Sequence, residues 1–158
     1  MGKSELKTQA KEFIENNRAG SLATADKKGE PHVAVVFCFA EDDLAIYFTC
    51  RVESRKFKNI LVRPEVALTF YDEANLITLQ LSGTAVRVEN IEEEQKILQK
   101  LFTLRLNERN WPTPVVKMYE SGATNEIAVL KVTPTEMTLS NFETQPDGRY
   151  KSFYHTII

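Results

Sequence analysis

The stretch Thr49-Cys50-Arg51-Val52-Glu53-Ser54-Arg55-Lys56-Phe57-Lys58 stands out as a place where this chain could bind an anion. A strand ends there, a short loop follows, and a helix begins at Ser54, whose hydroxyl suits an N-cap. Arg55, Lys56 and Lys58 then fall in the first turn. The helix dipole is positive at that end and disfavours each cation by about 0.3–1 kcal/mol. An anion on the helix N-terminus removes the conflict, because it accepts from backbone N–H groups, a hydroxyl and basic side chains together. A phosphate group is the anion this pattern implies. The alternative is a capped helix whose cations are simply solvated.

Other catalytic signatures are missing. The glycines are all isolated, so neither a dinucleotide fingerprint nor a P-loop can be drawn. There is no Gly-x-Ser-x-Gly elbow and no His-Glu-x-x-His helix. His32 and His155 are the only histidines, and nothing selects either for a catalytic triad. Cys38 and Cys50 are too few and too widely spaced for a zinc site or a redox pair, which leaves them as free thiols serving as small core hydrophobes. No catalytic residue and no metal ligand is assigned.

The elements that must position the Ser54 segment alternate between two textures. Ser4 to Asn17 places Leu6, Ala10, Phe13 and Ile14 at helical spacing, with Gly20 where a C-cap glycine would sit. β-branched and aromatic runs follow. Ser21 to Ala25 and Pro31 to Ala40 read as two strands around the hairpin loop Asp26-Lys27-Lys28-Gly29. Leu44 to Thr49 reads as a third strand, Glu65 to Tyr71 as a fourth and Leu76 to Glu89 as a long fifth. In the fifth, Ile77, Leu79 and Leu81 are apolar on odd positions and Val86 and Val88 on even ones; Gly83, at the switch, predicts a bulge. Glu126 to Val132 is a sixth strand, which Met137 to Leu139 extends past Pro134.

Two helices interrupt the strands. Ser54 to Val62 carries Phe57, Ile60 and Leu61 on one face and stops before Pro64. Asn90 to about Arg109 opens with an Asn90 cap and three glutamates, and buries Leu98, Leu101 and Phe102. Long, bent antiparallel strands joined by short loops predict a mainly β, α+β fold: a six-stranded antiparallel split barrel with flanking helices.

The second strand is apolar on both faces. Val33, Val35, Phe37 and Phe39 point one way and Ala34, Val36, Cys38 and Ala40 the other. One face is expected to fill the barrel. The other, small-residue face would admit a flat ring, a helix or a second subunit, unless it is simply a core strand under a helix. A hairpin turning near Asp42 sets Cys50 opposite about Val35, so no Cys38–Cys50 bridge is expected.

Bulk properties bound the function. One domain, residues 1–158, is expected from 158 residues; a chain of that length buries roughly 70% of its unfolded surface without staples. Twenty basic against twenty-two acidic residues give a net charge of −2, which argues against a general nucleic-acid binder. No apolar h-region follows Met1, position six of the myristoylation pattern is Leu6, and the run Val33 to Ala40 is far short of the ~20 residues that span a bilayer. A cytoplasmic protein without a membrane partner is the expectation.

Taken in order, Gly20-Ser21-Leu22-Ala23-Thr24, Gly29-Glu30-Pro31-His32-Val33, Ile46-Tyr47-Phe48-Thr49, Ser54-Arg55-Lys56 and Arg63-Pro64-Glu65-Val66-Ala67-Leu68 resemble the pyridoxamine 5'-phosphate oxidase-like, FMN-binding split-barrel family. The similarity runs from about Ala19 to Glu89, with a continuation through Glu126 to Asn141. It implies a homodimer with FMN in each of two inter-subunit clefts. The family's phosphate contacts would fall on Thr49, Ser54, Arg55 and Lys56, and its contact to the isoalloxazine edge on Thr78. The oxidases carry basic residues at both ends of the second-strand segment, here His32-Val33-Ala34-Val35-Val36-Phe37, where only His32 can serve. Their C-terminal Arg-and-aromatic substrate motif is not recognisable in Gly148 to His155. The resemblance thus implies flavin-dependent oxidoreduction other than vitamin B6 oxidation. Relatives that bind the deazaflavin F420 or haem keep three alternatives open: a deazaflavin-dependent reductase, a non-catalytic flavin or haem storage or sensor protein, and a cofactor-free dimerisation module.

Overall fold

The computed structural model describes residues 2–107 and 114–158. The chain runs α1 (Lys3–Asn16), β1 (Ala19–Ala25), β2 (Pro31–Ala40), β3 (Ile46–Arg51), α2 (Arg55–Val62), β4 (Glu65–Asp72), β5 (Ile77–Arg87), α3 (Ile91–Asn107), α4 (Pro114–Glu120), a 3-10 turn (Thr124–Glu126), β6 (Ile127–Thr144) and β7 (Tyr150–Thr156). The helix end expected near Arg109 lies outside the described residues.

All strands pair antiparallel, in the order β3-β2-β1-β4-β5-β6-β7, and a further β3–β6 ladder closes a six-stranded barrel. The closing strand is β6. Its first six residues pair with β3, from Arg51↔Ile127 to Ile46↔Val132, and Thr138 to Thr144 pair with β7. β7 was not expected from the sequence, and it lengthens the sheet beyond the barrel.

The hairpins follow their turn chemistry. Between β1 and β2 the Asp26 carboxylate accepts from the N–H groups of Lys28 (2.8 Å) and Glu30 (3.0 Å), and Gly29 takes φ +87°. Gly20 caps no helix: Asn17 is the C-cap of α1, and Gly20 lies within β1. A Cβ there would stand 2.7 Å from the Phe70 ring.

Alternation along the strands sorts the side chains into two layers. Val36, Cys38 and Ala40 of β2, Ile46, Phe48 and Cys50 of β3, and Leu79, Leu81 and Ala85 of β5 point into the barrel. The inward face of β2 is therefore the small-residue one, opposite to expectation. Its large residues lie outside: Phe39 packs under α3, while Val33 and Val35 are 66% and 71% exposed. A curved wall with α1 and α2 both contributing to one interior leaves room only for small groups along β2.

α1 adds Leu6, Ala10 and Ile14 to the barrel interior, and Lys11 pairs with Asp42 of the β2–β3 hairpin. α2 adds Phe57 and Ile60 from the opposite end, where the amide of buried Asn59 donates to the Thr24 hydroxyl (3.0 Å). Leu61, expected on that face, is 62% exposed, and Asn59 takes the inward position. Outside the barrel, Ile97, Leu98, Leu101 and Phe102 of α3 cover Tyr47, Ile127 and Val129.

The irregularity expected at Gly83 is present, but the extra residue belongs to the partner strand. Ser82 pairs with Glu136 and Gly83 with Pro134, so Thr135 of β6 is the bulged residue. β5 keeps its inward phase through Ala85, and Val86 is 50% exposed. At Gly83 the backbones nearly touch: a Cβ would lie 2.5 Å from the Thr133 carbonyl oxygen and 3.0 Å from Pro134 Cα. Gly83→Ala should destabilise the protein by about 1–3 kcal/mol, because backbone on both sides must give way. Gly29→Ala meets no atom but must hold a positive φ, and should cost about 1 kcal/mol. Urea midpoints at constant m-value check the order; an unperturbed Gly83→Ala would show that the close approach constrains nothing.

Candidate functional site

β2 and β3 share only three ladder pairs, Cys38↔Phe48, Phe39↔Tyr47 and Ala40↔Ile46. Beyond Phe48 they part. β3 continues along β6 to Arg51, while the first half of β2, Pro31 to Phe37, pairs with β1 alone. One edge of that half-strand therefore faces an opening, and the chain leaving β3 turns through Val52 to Ser54 to start α2 across the barrel end.

The start of α2 is built as expected. Ser54 is the N-cap: its hydroxyl donates to the Arg51 carbonyl (2.7 Å) and accepts from the Phe57 N–H (3.4 Å). The Arg55 and Lys56 amides, at the first two helical positions, have no intrahelical acceptor. The first turn contains no acidic residue. Lys56 and Lys58 form no ion pair among the described residues, so the conflict between their charge and the dipole stands uncompensated by protein carboxylates.

Arg55 is different. Its guanidinium reaches back to the β1–β2 hairpin, 3.8 Å from the Glu30 carboxylate. Asp26 of the same hairpin is held below the usual carboxylate range, first by the Glu30 N–H and then, among lesser causes, by Arg55. Arg55 thus ties the helix start to the hairpin.

A second cation arrives from β5. The inward row Leu79, Leu81, Gly83, Ala85 continues to Arg87 at the barrel mouth, where its guanidinium lies 5.7 Å from the centre of the Phe57 ring. Buried Cys50 marks the meeting point. Burial pushes its thiol up, against the pull of a hydrogen bond with Ser54 and of the charges on Lys56 and Arg87. Arg87 carried no signal in the sequence, because only the closed barrel brings the end of β5 to the start of α2.

The other expected site residues distribute unevenly. His32 sits in the inward row opposite Thr24, two residues from Glu30, and its Nδ1 is buried with no hydrogen-bond partner among the described residues. Such an atom costs about 1–3 kcal/mol unless something pairs with it. Thr49 is half-buried in the β3–β6 ladder opposite Val129, and β3 runs past it to Arg51. Its side chain stands on the outer row with Tyr47, on the face away from Cys50. Thr78 is not brought to this end. It pairs with Tyr71 and Ser140, nine positions from Arg87 (87 − 78), or about 30 Å of strand at ~3.3 Å per residue. It borders an outer sheet face that no described helix covers, where Ala67, Thr69, Gln80, Ser82, Glu136 and Thr138 line a groove of about 270 Å³. Val33, Val35, Tyr71 (52%) and Tyr154 (67%) are exposed on the outer rows of the same sheet.

With this barrel and helix start in place, the comparisons become specific. The family model described as pyridoxamine 5'-phosphate oxidase matches residues 6–141. The chain belongs to the pyridoxamine 5'-phosphate oxidase family. A pyridoxine/pyridoxamine 5'-phosphate oxidase of Crocosphaera subtropica is 38% identical over 74 residues, 47% of this chain and 35% of the relative. The chain spans about a third to a half of the length of the curated relatives it matches. Among solved structures, a putative pyridoxamine 5'-phosphate oxidase of Listeria innocua superposes with a TM-score of 0.65 at 16% identity, covering 84% of this chain and 95% of that one. A structure titled F420 reductase gives a TM-score of 0.63 at 21% identity, over 80% of this chain and 94% of that one. At such identities the likeness is one of fold. No group of His, Cys, Asp and Glu able to hold a metal occurs among the described residues. No helix among them is long and apolar enough to cross a membrane.

The Cys50 environment yields a test. A thiol raised by burial stays protonated, and the stability it contributes is full below the unfolded value, about 8.5, and is lost as pH rises through the folded one. Iodoacetamide at pH 8 should label Cys50 far more slowly in the native protein than in urea. Rapid native labelling would contradict the buried, protonated assignment.

Proposed function

We propose that this protein binds FMN, with the phosphate on the N-terminus of α2 and the ring system along the open edge of β2, and that it serves a flavin-dependent oxidoreduction other than vitamin B6 oxidation. The observation that carries the reading is the first turn of α2: an N-cap serine, two amides without intrahelical acceptors, and Lys56 without a carboxylate partner among the described residues, all beside the parting of β2 and β3. The fit is one of charge and donors. A phosphate monoester carries about −1.5 to −2 at neutral pH. It accepts from amides and ammonium groups and relieves the dipole conflict. The orphaned Nδ1 of His32 lies at the same barrel end and would gain a partner. Bound there, FMN would supply the redox chemistry, and the protein its position and electrostatics. Among the expected contacts, Ser54, Lys56 and His32 would serve directly, and Arg55 through its anchoring of the hairpin.

The site is completed by a second copy of the chain. Val33 and Val35, left in water on the outer face of β2, are the kind of surface a subunit interface removes. An obligate interface of this type buries about 2,000 Å² or more. Light scattering should therefore give twice 18.0 kDa at micromolar concentration; an 18.0 kDa species would remove the inter-subunit cleft from the account.

The likeness to a structure titled F420 reductase favours one second reading, a deazaflavin in place of FMN at the same anion site. Lys56→Ala tests the anion site itself. The change removes a charge-assisted hydrogen bond of about 1.5–3 kcal/mol, and should weaken FMN roughly 10- to 150-fold. Riboflavin, lacking the phosphate, should be indifferent. The apo protein should be as stable as wild type or slightly more so, since a cation leaves a positive dipole end. Equal loss for FMN and riboflavin, or none for either, would show that no phosphate binds here.

A further inference from the structure

The charge at the α2 start does not balance a phosphate monoester with Lys56 alone. Arg55 is drawn to Glu30 and Asp26 of the β1–β2 hairpin, so the sequence segment Ser54-Arg55-Lys56 leaves one uncommitted cation in contact range of the first two amides. A monoester near neutral pH carries closer to two charges than one. Lys58 is also without an ion pair among the described residues, but it is exposed at the fourth helical position; the cation that acts with Lys56 on the buried group beside Ser54 stands on another element.

We propose that Arg87 is the second phosphate ligand: a guanidinium carried by β5, poised beside the first turn of α2, that selects phosphorylated over unphosphorylated flavin. The proposal rests on the FMN reading above and adds a residue to it from an element outside the Ser54 segment. Three observations converge. Arg87 is exposed and makes no ion pair among the described residues. Its guanidinium is held 5.7 Å over the Phe57 ring, and Phe57 is the third residue of α2. Its charge and that of Lys56 act on the same buried group, the Cys50 thiol beside Ser54. The two cations therefore approach the N-cap from two elements, with no carboxylate paired to either among the described residues.

The chemistry favours a division of labour. Lys56 is a compact point charge on a flexible stem, whereas Arg87 offers a planar fork that matches two phosphate oxygens. The contact with the Phe57 ring face, 5.7 Å from its centre, holds the guanidinium near the helix start before anything binds. The row Leu79-Leu81-Gly83-Ala85-Arg87 explains the placement. Every earlier inward position of β5 meets the barrel core, and only the last emerges at the mouth that α2 crosses.

The test compares FMN and riboflavin affinities by flavin fluorescence for wild type, Lys56→Ala, Arg87→Met and Arg87→Lys. Arg87→Met keeps an apolar stem over Phe57 but removes the charge. It should weaken FMN roughly 10- to 150-fold while riboflavin stays within about twofold. Arg87→Lys should recover part of the loss, since it restores the charge without the fork. An unchanged FMN-to-riboflavin ratio in Arg87→Met, with the ratio collapsed in Lys56→Ala, would overturn the role of Arg87 and leave the α2 site standing. An unchanged ratio in both variants would overturn the site and Arg87 with it. Should Arg87→Met fail to fold by far-UV circular dichroism, the ratio in Arg87→Lys decides, and a wild-type value there overturns the proposal.

Discussion

β6 has to belong to two ladders at once. Its first six residues close the barrel against β3 and its last seven carry β7, both on the side away from β5. An 18-residue strand cannot do this without turning, and the extra residue at Thr135 supplies the bend. Gly83 makes the bend affordable, because only a residue without Cβ lets the Thr133 carbonyl come so close. Closure then draws β3 towards β6 and away from β2, and the first half of β2 is left with an open edge. α2, spanning from β3 to β4, has no route other than across that barrel end. The opening and the helix N-terminus beside it are thus consequences of one bent strand.

What the helix start carries is an electrostatic conflict that no other described residue resolves. Glu30 and Asp26 attend to Arg55, while Lys56 and Arg87 have no carboxylate partner among the described residues. The like charges and the dipole cost stability, and an anion at that end would offset the cost. Cys50 registers the same arrangement from below. Its thiol is raised by burial, although the adjacent Ser54 hydroxyl and the charges on Lys56 and Arg87 pull the other way, so desolvation wins. With 2% exposure among the barrel-core side chains, Cys50 packs the interior beneath the helix start.

The six barrel strands and the Ser54 cap were legible because each rests on local chemistry: alternation, an Asp-Gly hairpin loop, a serine before a helix. The face of β2 was misjudged for a physical reason. Both of its rows are apolar, so side-chain size alone suggested which one fills a barrel, whereas α1 and α2 also enter the interior and leave space for Val36, Cys38 and Ala40 only. β7 was missed because Tyr150 to Thr156 mixes polar and aromatic residues without a period of two, and none of residues 151–156 is buried. Its pairing partner, the far half of β6, is a tertiary fact. α4 and the end of α3 flank residues 108–113, which are not described. Arg87 is the instructive omission. Thirty residues separate it from Phe57 (87 − 57), and a lone arginine at a strand end has no signature until the barrel closes.

A flavin phosphate bound at the α2 start, as proposed, would lie against the first two amides of that helix. Backbone amide chemical shifts, followed by ¹⁵N–¹H correlation spectra of the intact protein during FMN titration, test it most directly. The amides of Arg55 and Lys56 have no acceptor of their own, so they should show the largest saturable downfield shifts, and riboflavin should leave them nearly unmoved. Saturable shifts confined to the outer face of β4, β5 and β6, with Arg55 and Lys56 silent, would contradict the account.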